Sequence, residues 1–190
     1  MRRTTHVLAA IVLLGACSTE PTTANDIGAI SSRANSATPI SPAQEQKDLA
    51  TLKAVTASFH QFSAAQAAGW SAQITPCMSD PVLGGMGFHY GNPAIIDGAV
   101  SVDKPELLLY EPEKNGRMQL VAVEYIVPVG AWTSPQPPRL FGRDFVVNTT
   151  FNVWALHVWV WERNPSGLYA DWNPVITCKN TTDVSTMSHH

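Results

Sequence analysis

The sequence predicts an α+β domain in which one N-terminal amphipathic helix packs on an antiparallel β-sheet or partly closed barrel. Three observations carry this reading. Apolar residues recur at helical spacing after Ser41-Pro42. Beyond Trp70 the pattern shortens to apolar runs separated by turn residues. Asn115-Gly116 then sits between two of those runs, a strong hairpin signal.

Each element follows from local chemistry. Ser41 offers a capping oxygen and Pro42 suits the first helical position. Leu49, Leu52, Val55, Phe59, Phe62 and Ala65 recur every three or four residues, so the helix should end near Gly69. His60 falls on the edge of that stripe and reads as a boundary histidine. Glu106–Tyr110 and Met118–Val127 flank Glu113-Lys114-Asn115-Gly116, where Asn115 and Gly116 both tolerate positive φ. Phe151–Trp161 reads as another long strand, separated by a proline-rich loop from Pro128 to Arg143. Asn164-Pro165-Ser166-Gly167 and Asp171-Trp172-Asn173-Pro174 read as turns. No internal repeat is visible.

Composition narrows the function classes. Charged residues make up 14% of the chain, well under the usual quarter, and hydrophobic residues 45%. One good core is within reach of 190 residues. The formal charge is −3 and no basic run exists, which argues against a nucleic-acid partner. The G-x-S-x-G elbow, the G-x-x-x-x-G-K phosphate cradle and the dinucleotide fingerprint are all missing.

The first residues carry a different message. Arg2 and Arg3 precede an apolar run from Val7 to Leu14, followed by Leu14-Gly15-Ala16-Cys17. This order resembles a bacterial lipoprotein signal with its lipobox. The run is about eight residues, where a retained membrane helix needs roughly 20. The resemblance implies cleavage before Cys17, lipidation of Cys17 and a membrane partner through the lipid anchor. It implies an exported protein, lipid-anchored in the bacterial cell envelope. Ser18 rather than Asp follows the cysteine, which leaves outer-membrane sorting open. The organisation read this way is a signal peptide (1–16), a lipidated Cys17 with a flexible tether (17–40), a single α+β domain (41–179) and a polar tail (180–190). The tether is rich in Ser, Thr, Ala, Asn and Pro and cannot offset its ordering entropy by burial. Without Arg2 and Arg3, ten basic residues face 15 acidic ones, a formal charge of −5.

If Cys17 carries lipid, Cys77 and Cys178 remain, and an even count suits an oxidising compartment. A Cys77–Cys178 disulfide is expected. The competing reading, a thiolate metal site, lacks any CxxC or CxxH neighbour.

Three polar residues stand out against apolar neighbours. Glu124 shares a strand face with Leu120, Ala122 and Ile126, opposite Val121, Val123, Tyr125 and Val127. A carboxylate buried there must be paired, protonated or bound to a cation. His157 shares a face with Phe151, Val153, Ala155, Trp159 and Trp161. His89 follows Gly84-Gly85-Met86-Gly87-Phe88, where three glycines permit close backbone approach. Two imidazoles and one carboxylate form a donor set for Fe(II), Zn(II) or a similar divalent ion, with coordination positions left open. The same residues also suit a Glu–His pair inside an aromatic core, or contacts to a non-metal ligand.

Trp154, Trp159, Trp161 and Trp172, with Phe151, Tyr125 and Tyr169, read either as core or as the lining of an aromatic pocket. Ligand contacts are therefore expected from His89, Tyr90, Glu124, His157 and Trp159. Haem through His89 or Tyr90 has no CxxCH motif to support it. Asp171 and Asn173 read chiefly as turn residues, and Arg139 and Arg143 as solvated loop cations. The arrangement Gly-Met-Gly-Phe-His-Tyr, Val-Glu-Tyr and Leu-His-Val-Trp-Val-Trp, through Asn-Pro to Cys, resembles exported bacterial proteins of unassigned function. Three functions stay open: an envelope lipoprotein binding a small ligand or protein partner, a metal-dependent enzyme, and a structural or interaction protein without a pocket.

Overall fold

A computed structural model of the chain describes residues 40–186. The lipobox with Cys17, the signal segment and nearly all of the tether lie outside the described residues. Ser41 caps helix α1 (Pro42–Thr56), its side chain accepting the Gln44 N–H at 3.1 Å, with Pro42 in the first turn. The single helix expected to Gly69 is interrupted. A 3-10 turn spans Ala57–His60 and a second helix, α2, spans Phe62–Ala67. Two side chains explain the break. The Thr56 hydroxyl donates to the Leu52 carbonyl at 2.8 Å, competing with the helical ladder. The Tyr110 hydroxyl donates to the Phe59 carbonyl at 2.8 Å and takes an acceptor that a continuing helix would use. Leu52 and Ala65 of the expected stripe are fully buried, Leu49, Phe59 and Phe62 pack against the same core, and Val55 stays exposed. His60 sits edge-on to Trp161 at 4.4 Å.

The strands are β1 (Ala72–Asp80), β2 (Gly84–Gly91), β3 (Leu107–Pro112), β4 (Met118–Pro128), β5 (Arg139–Leu140), β6 (Arg143–Asp144), β7 (Val146–Asn148), β8 (Val153–Val158) and β9 (Val184–Thr186). Seven form one sheet in the order β7-β8-β4-β3-β2-β1-β9, and β5 pairs with β6. The large sheet is strongly curled into a half-barrel, antiparallel except for the β1–β9 pair, with a helix packed on it. The α+β expectation holds at that level.

Local details differ from the sequence reading. In the β3–β4 turn only Gly116 takes a positive φ, of 78°. The Glu113 N–H donates to the Arg117 carbonyl at 2.8 Å, so three residues rather than two turn the chain. Asn115 instead accepts the Arg117 N–H through its side chain. Strand β8 stops at Val158, not Trp161. The chain kinks there, and the Trp161 and Glu162 N–H groups reach the Val121 carbonyl at 3.3 and 3.0 Å. Trp161 thereby crosses to the helix side, where its indole N–H meets Thr56. Residues 181–186 are tied down: the Cys77 N–H donates to the Asp183 carbonyl at 2.9 Å, and β9 lies against β1.

The pleat sorts the core into two faces. Leu108, Tyr110, Val123, Tyr125, Val127, Leu156 and Val158 join the helices. Leu107, Leu109, Ala122 and Ile126 cluster on the other side. A register shift between Leu109 and Tyr110 leaves Val121 as an extra residue in β4. Such a bulge swaps the faces before it. Leu120 therefore belongs to the helix side and Val121 to the opposite one, the reverse of strict alternation, while Glu124 keeps its predicted neighbours Ala122 and Ile126.

Candidate metal centre

Sheet register brings the three polar residues together. Glu124 lies directly opposite His157 on β8 and opposite Leu107 on β3, which in turn faces Gly91 on β2. His89, two residues before Gly91, shares that face. Gly91 is needed there, because a Cβ would lie 2.9 Å from Ile74 Cγ1 and 3.0 Å from Leu107 Cδ2. His89, Glu124 and His157 are 4%, 6% and 4% exposed.

Both imidazoles turn Nε2 toward the carboxylate. His89 Nε2 is 3.5 Å from Glu124 Oε2, and His157 Nε2 is 3.6 Å from Glu124 Oε1. One donor atom from each residue falls within 4.8 Å of the others. These separations exceed hydrogen-bond length. Two ligands bound at ~2.0–2.1 Å to one tetrahedral ion stand ~3.3–3.4 Å apart, and each histidine–carboxylate separation is close to that. His157 Nε2 has no hydrogen-bond partner among the described residues although it is buried.

The far nitrogens are held from behind. His89 Nδ1 lies 2.9 Å from the Thr75 hydroxyl. His157 Nδ1 lies 3.3 Å from Asp171 Oδ1, a charge contact without hydrogen-bond alignment. Such outer partners fix ring orientation in metal sites. Asp171 had read chiefly as a turn residue, and its contact with His157 arises only because the 171–174 turn folds back over β8.

Charge states divide the three donors. Burial, and then the neighbouring His157, lowers His89 to about 3, so its imidazole is neutral and free to act as a ligand. Burial alone would lower His157, but Glu124 and Asp171 outweigh it and the net shift is upward. Burial raises Glu124, with His157 opposing and Asp171 adding to the rise. Asp171 is lowered by its contact with His157. Glu124 and His157 are both shifted toward their protonated forms, so a cation binding there would have to displace protons.

Glu106 is a buried carboxylate that the sequence reading passed over as the start of a strand. It is 2% exposed, and its Oε2 accepts the Ile126 N–H at 3.1 Å. Burial pushes it up to about 8, partly offset by backbone hydrogen bonds. The only signal was an acidic residue leading straight into Leu107–Tyr110. Between the ordinary carboxylate range and about 8, the folded chain holds a proton that the unfolded chain has lost. Stability therefore falls as pH rises through that window, by about 1 kcal/mol per pH unit at the steepest. Glu106→Gln keeps the acceptor and removes the titration. Urea unfolding between pH 5 and 9 should give a flatter pH profile for this variant, and an unchanged profile would refute the assignment.

A cavity of about 210 Å³ opens onto the donor atoms. Its walls are mainly Ile74, Met78, Met86, Leu107, Ile126, Phe151 and Val153, with Thr75 and Asn148 as neutral polar members. A second cleft, of about 240 Å³, reaches His157 from the Asp171 side. The aromatic lining expected from the tryptophans is not there. Phe151 is the one aromatic hydrocarbon ring on the first cavity's wall. Tyr90, adjacent to His89 on its strand, points to the other face, packs on Phe62 and donates its hydroxyl proton to Gln73. Trp159 is buried and donates its indole N–H to the Ala170 carbonyl at 2.6 Å. Trp154, Tyr125 and Tyr169 serve the helix-side core. Arg139 pairs with Asp144 at 2.7 Å, and Arg143 lies over Tyr169 at 5.0 Å.

No protein-family model, curated protein or solved structure matches this chain. The reading of the site rests on its own geometry.

Proposed function

We propose that this domain binds one divalent transition-metal ion through His89 Nε2, His157 Nε2 and a Glu124 oxygen, with coordination positions open toward the apolar cavity. The convergence of three buried donor atoms, one with no hydrogen-bond partner, carries this reading. Two neutral imidazoles and a carboxylate suit Fe(II) or Zn(II). The ion would polarise, or bind outright, a small molecule held in the cavity. Thr75 and Asp171 fix the two rings, and the apolar wall keeps bulk water from competing.

The same proposal places the domain outside the cytoplasm, tethered through lipid on Cys17. The Cys77–Cys178 disulfide supports an oxidising compartment. One preparation tests both parts. Protein purified from the membranes of a Gram-negative host should contain close to one equivalent of transition metal. Its mature N-terminal peptide should carry acyl chains on Cys17 by mass spectrometry. Metal-free protein that also fails to take up added Zn(II) or Fe(II) overturns the first part, and an unmodified N-terminus the second.

A further inference from the structure

Resting on the metal-centre reading, we propose that the ligand of this site is a small apolar monocarboxylate, its carboxylate bound to the ion and its short hydrocarbon body filling the cavity. Charge comes first. A divalent ion held by Glu124 and two neutral imidazoles keeps one positive charge in a buried setting. An uncompensated buried charge is costly, so a monoanion is the favoured completing ligand. Asp171 compensates that charge only in part, because it acts from behind the far nitrogen of His157 and its side chain is 64% exposed.

The wall supplies the second argument. Among the described residues no lysine or arginine lines the cavity, so the ion would be the one cation there to hold an anionic group. Thr75 is already engaged with His89, and Asn148 Oδ1 accepts the Thr150 and Phe151 N–H groups at 3.1 and 3.2 Å, which leaves the Asn148 amide nitrogen as the neutral donor on the wall. Everything else the ligand would touch is aliphatic, thioether or Phe151. Polyols, sugars and dianions would lose hydration there without gaining partners.

Size and shape are the third. The cavity, at about 210 Å³, falls below the ~300–1,000 Å³ typical of drug-sized ligands. Ile74 and Phe151, both on its wall, are 42% and 47% exposed. A hydrocarbon tail covering them would remove apolar surface from water at the mouth.

The test uses the protein loaded with Co(II), whose visible absorption reports changes in coordination. Straight-chain carboxylates from acetate to octanoate are titrated, with hexanamide and hexanol as neutral controls. Affinity should rise about fourfold per added methylene until the cavity is full. Hexanoate should bind at least tenfold more tightly than either neutral control and should perturb the Co(II) spectrum. Ile74→Ser should weaken hexanoate more than acetate. Equal affinities for acetate and hexanoate, hexanol matching hexanoate, or equal hexanoate binding by metal-free protein would each overturn the proposal while leaving the metal centre standing. Failure of Co(II) to bind would instead bring down the metal centre, and this inference with it.

Discussion

Replacing His157 by alanine is expected to lower affinity for a divalent transition metal at least a hundredfold. The residue is one of three candidate donors, and among the described residues its Nε2 has no other hydrogen-bond partner to lose. Glu124→Gln should be as damaging, because it removes the only formal negative charge in the donor set while keeping the side chain's size. It also has the cleaner control. A buried carboxylate that burial already holds toward protonation gives way to a neutral amide, so the fold should survive with stability equal or higher. Asp171→Asn leaves the donors intact but weakens the charge behind His157 Nδ1, and should cost ten- to a hundredfold. Competition against a chelating dye measures all three. Wild-type affinity in both His157→Ala and Glu124→Gln would show that any bound ion sits elsewhere. The order also matters: a loss in Asp171→Asn larger than in His157→Ala would make Asp171 itself a ligand, contrary to its exposed position.

The separate ingredients of this site were legible in the sequence, but their meeting was only half legible. Glu124 and His157 announced themselves as polar residues on apolar strands, and each kept much of its predicted surroundings. Their contact depends on register, since a one-residue slip between β4 and β8 would send them to opposite faces. His89 depends on more, because it reaches Glu124 from β2 across β3 and needs Gly91 empty of a side chain. The face of Glu124 was read correctly, yet one of its supposed neighbours, Leu120, was exchanged for Val121. The bulge at Val121 leaves no mark in a periodic pattern, because an extra residue in one strand is defined only against its partner. Tyr90 and Trp159 were misplaced for a related reason. Adjacency to a site histidine along the chain puts a side chain on the far face, and a strand reading that overran Val158 hid the kink that buries Trp159 against Ala170. Helix α1 began where its cap said it would. It ended early because hydroxyl groups of Thr56 and Tyr110 claim the carbonyls it needed, and Tyr110 is 51 residues away from the Phe59 carbonyl it takes.

Removing the disulfide should produce the largest loss of stability of any single covalent change in the described domain. Cys77 and Cys178 are 101 residues apart, and a loop of that length corresponds to about 4–5 kcal/mol in the chain-entropy model. The bond closes the sheet as well as the loop. Cys77 lies in β1, and Cys178 begins the segment that returns as β9 along the same strand. Three residue pairs hold β9 to β1, too few to keep that edge without the covalent tie. Both sulfurs are buried beside Phe88, so reduction leaves two thiols in an apolar pocket without exposing it directly. Urea unfolding of Cys77→Ser/Cys178→Ser should therefore show a stability about 4 kcal/mol below that of the oxidised protein, with β9 the first segment to gain amide exchange. A difference under about 1 kcal/mol would mean that the reduced chain is already constrained by other contacts. The consequence for the site is indirect and separable. β1 also carries Thr75, which holds His89 Nδ1, so a loosened β1 should relax the ring and weaken metal binding modestly. An ion at the proposed site should stay bound under reducing conditions. The proposed donors are imidazole and carboxylate, and metal lost in step with disulfide reduction would point instead to thiolate coordination by Cys77 and Cys178.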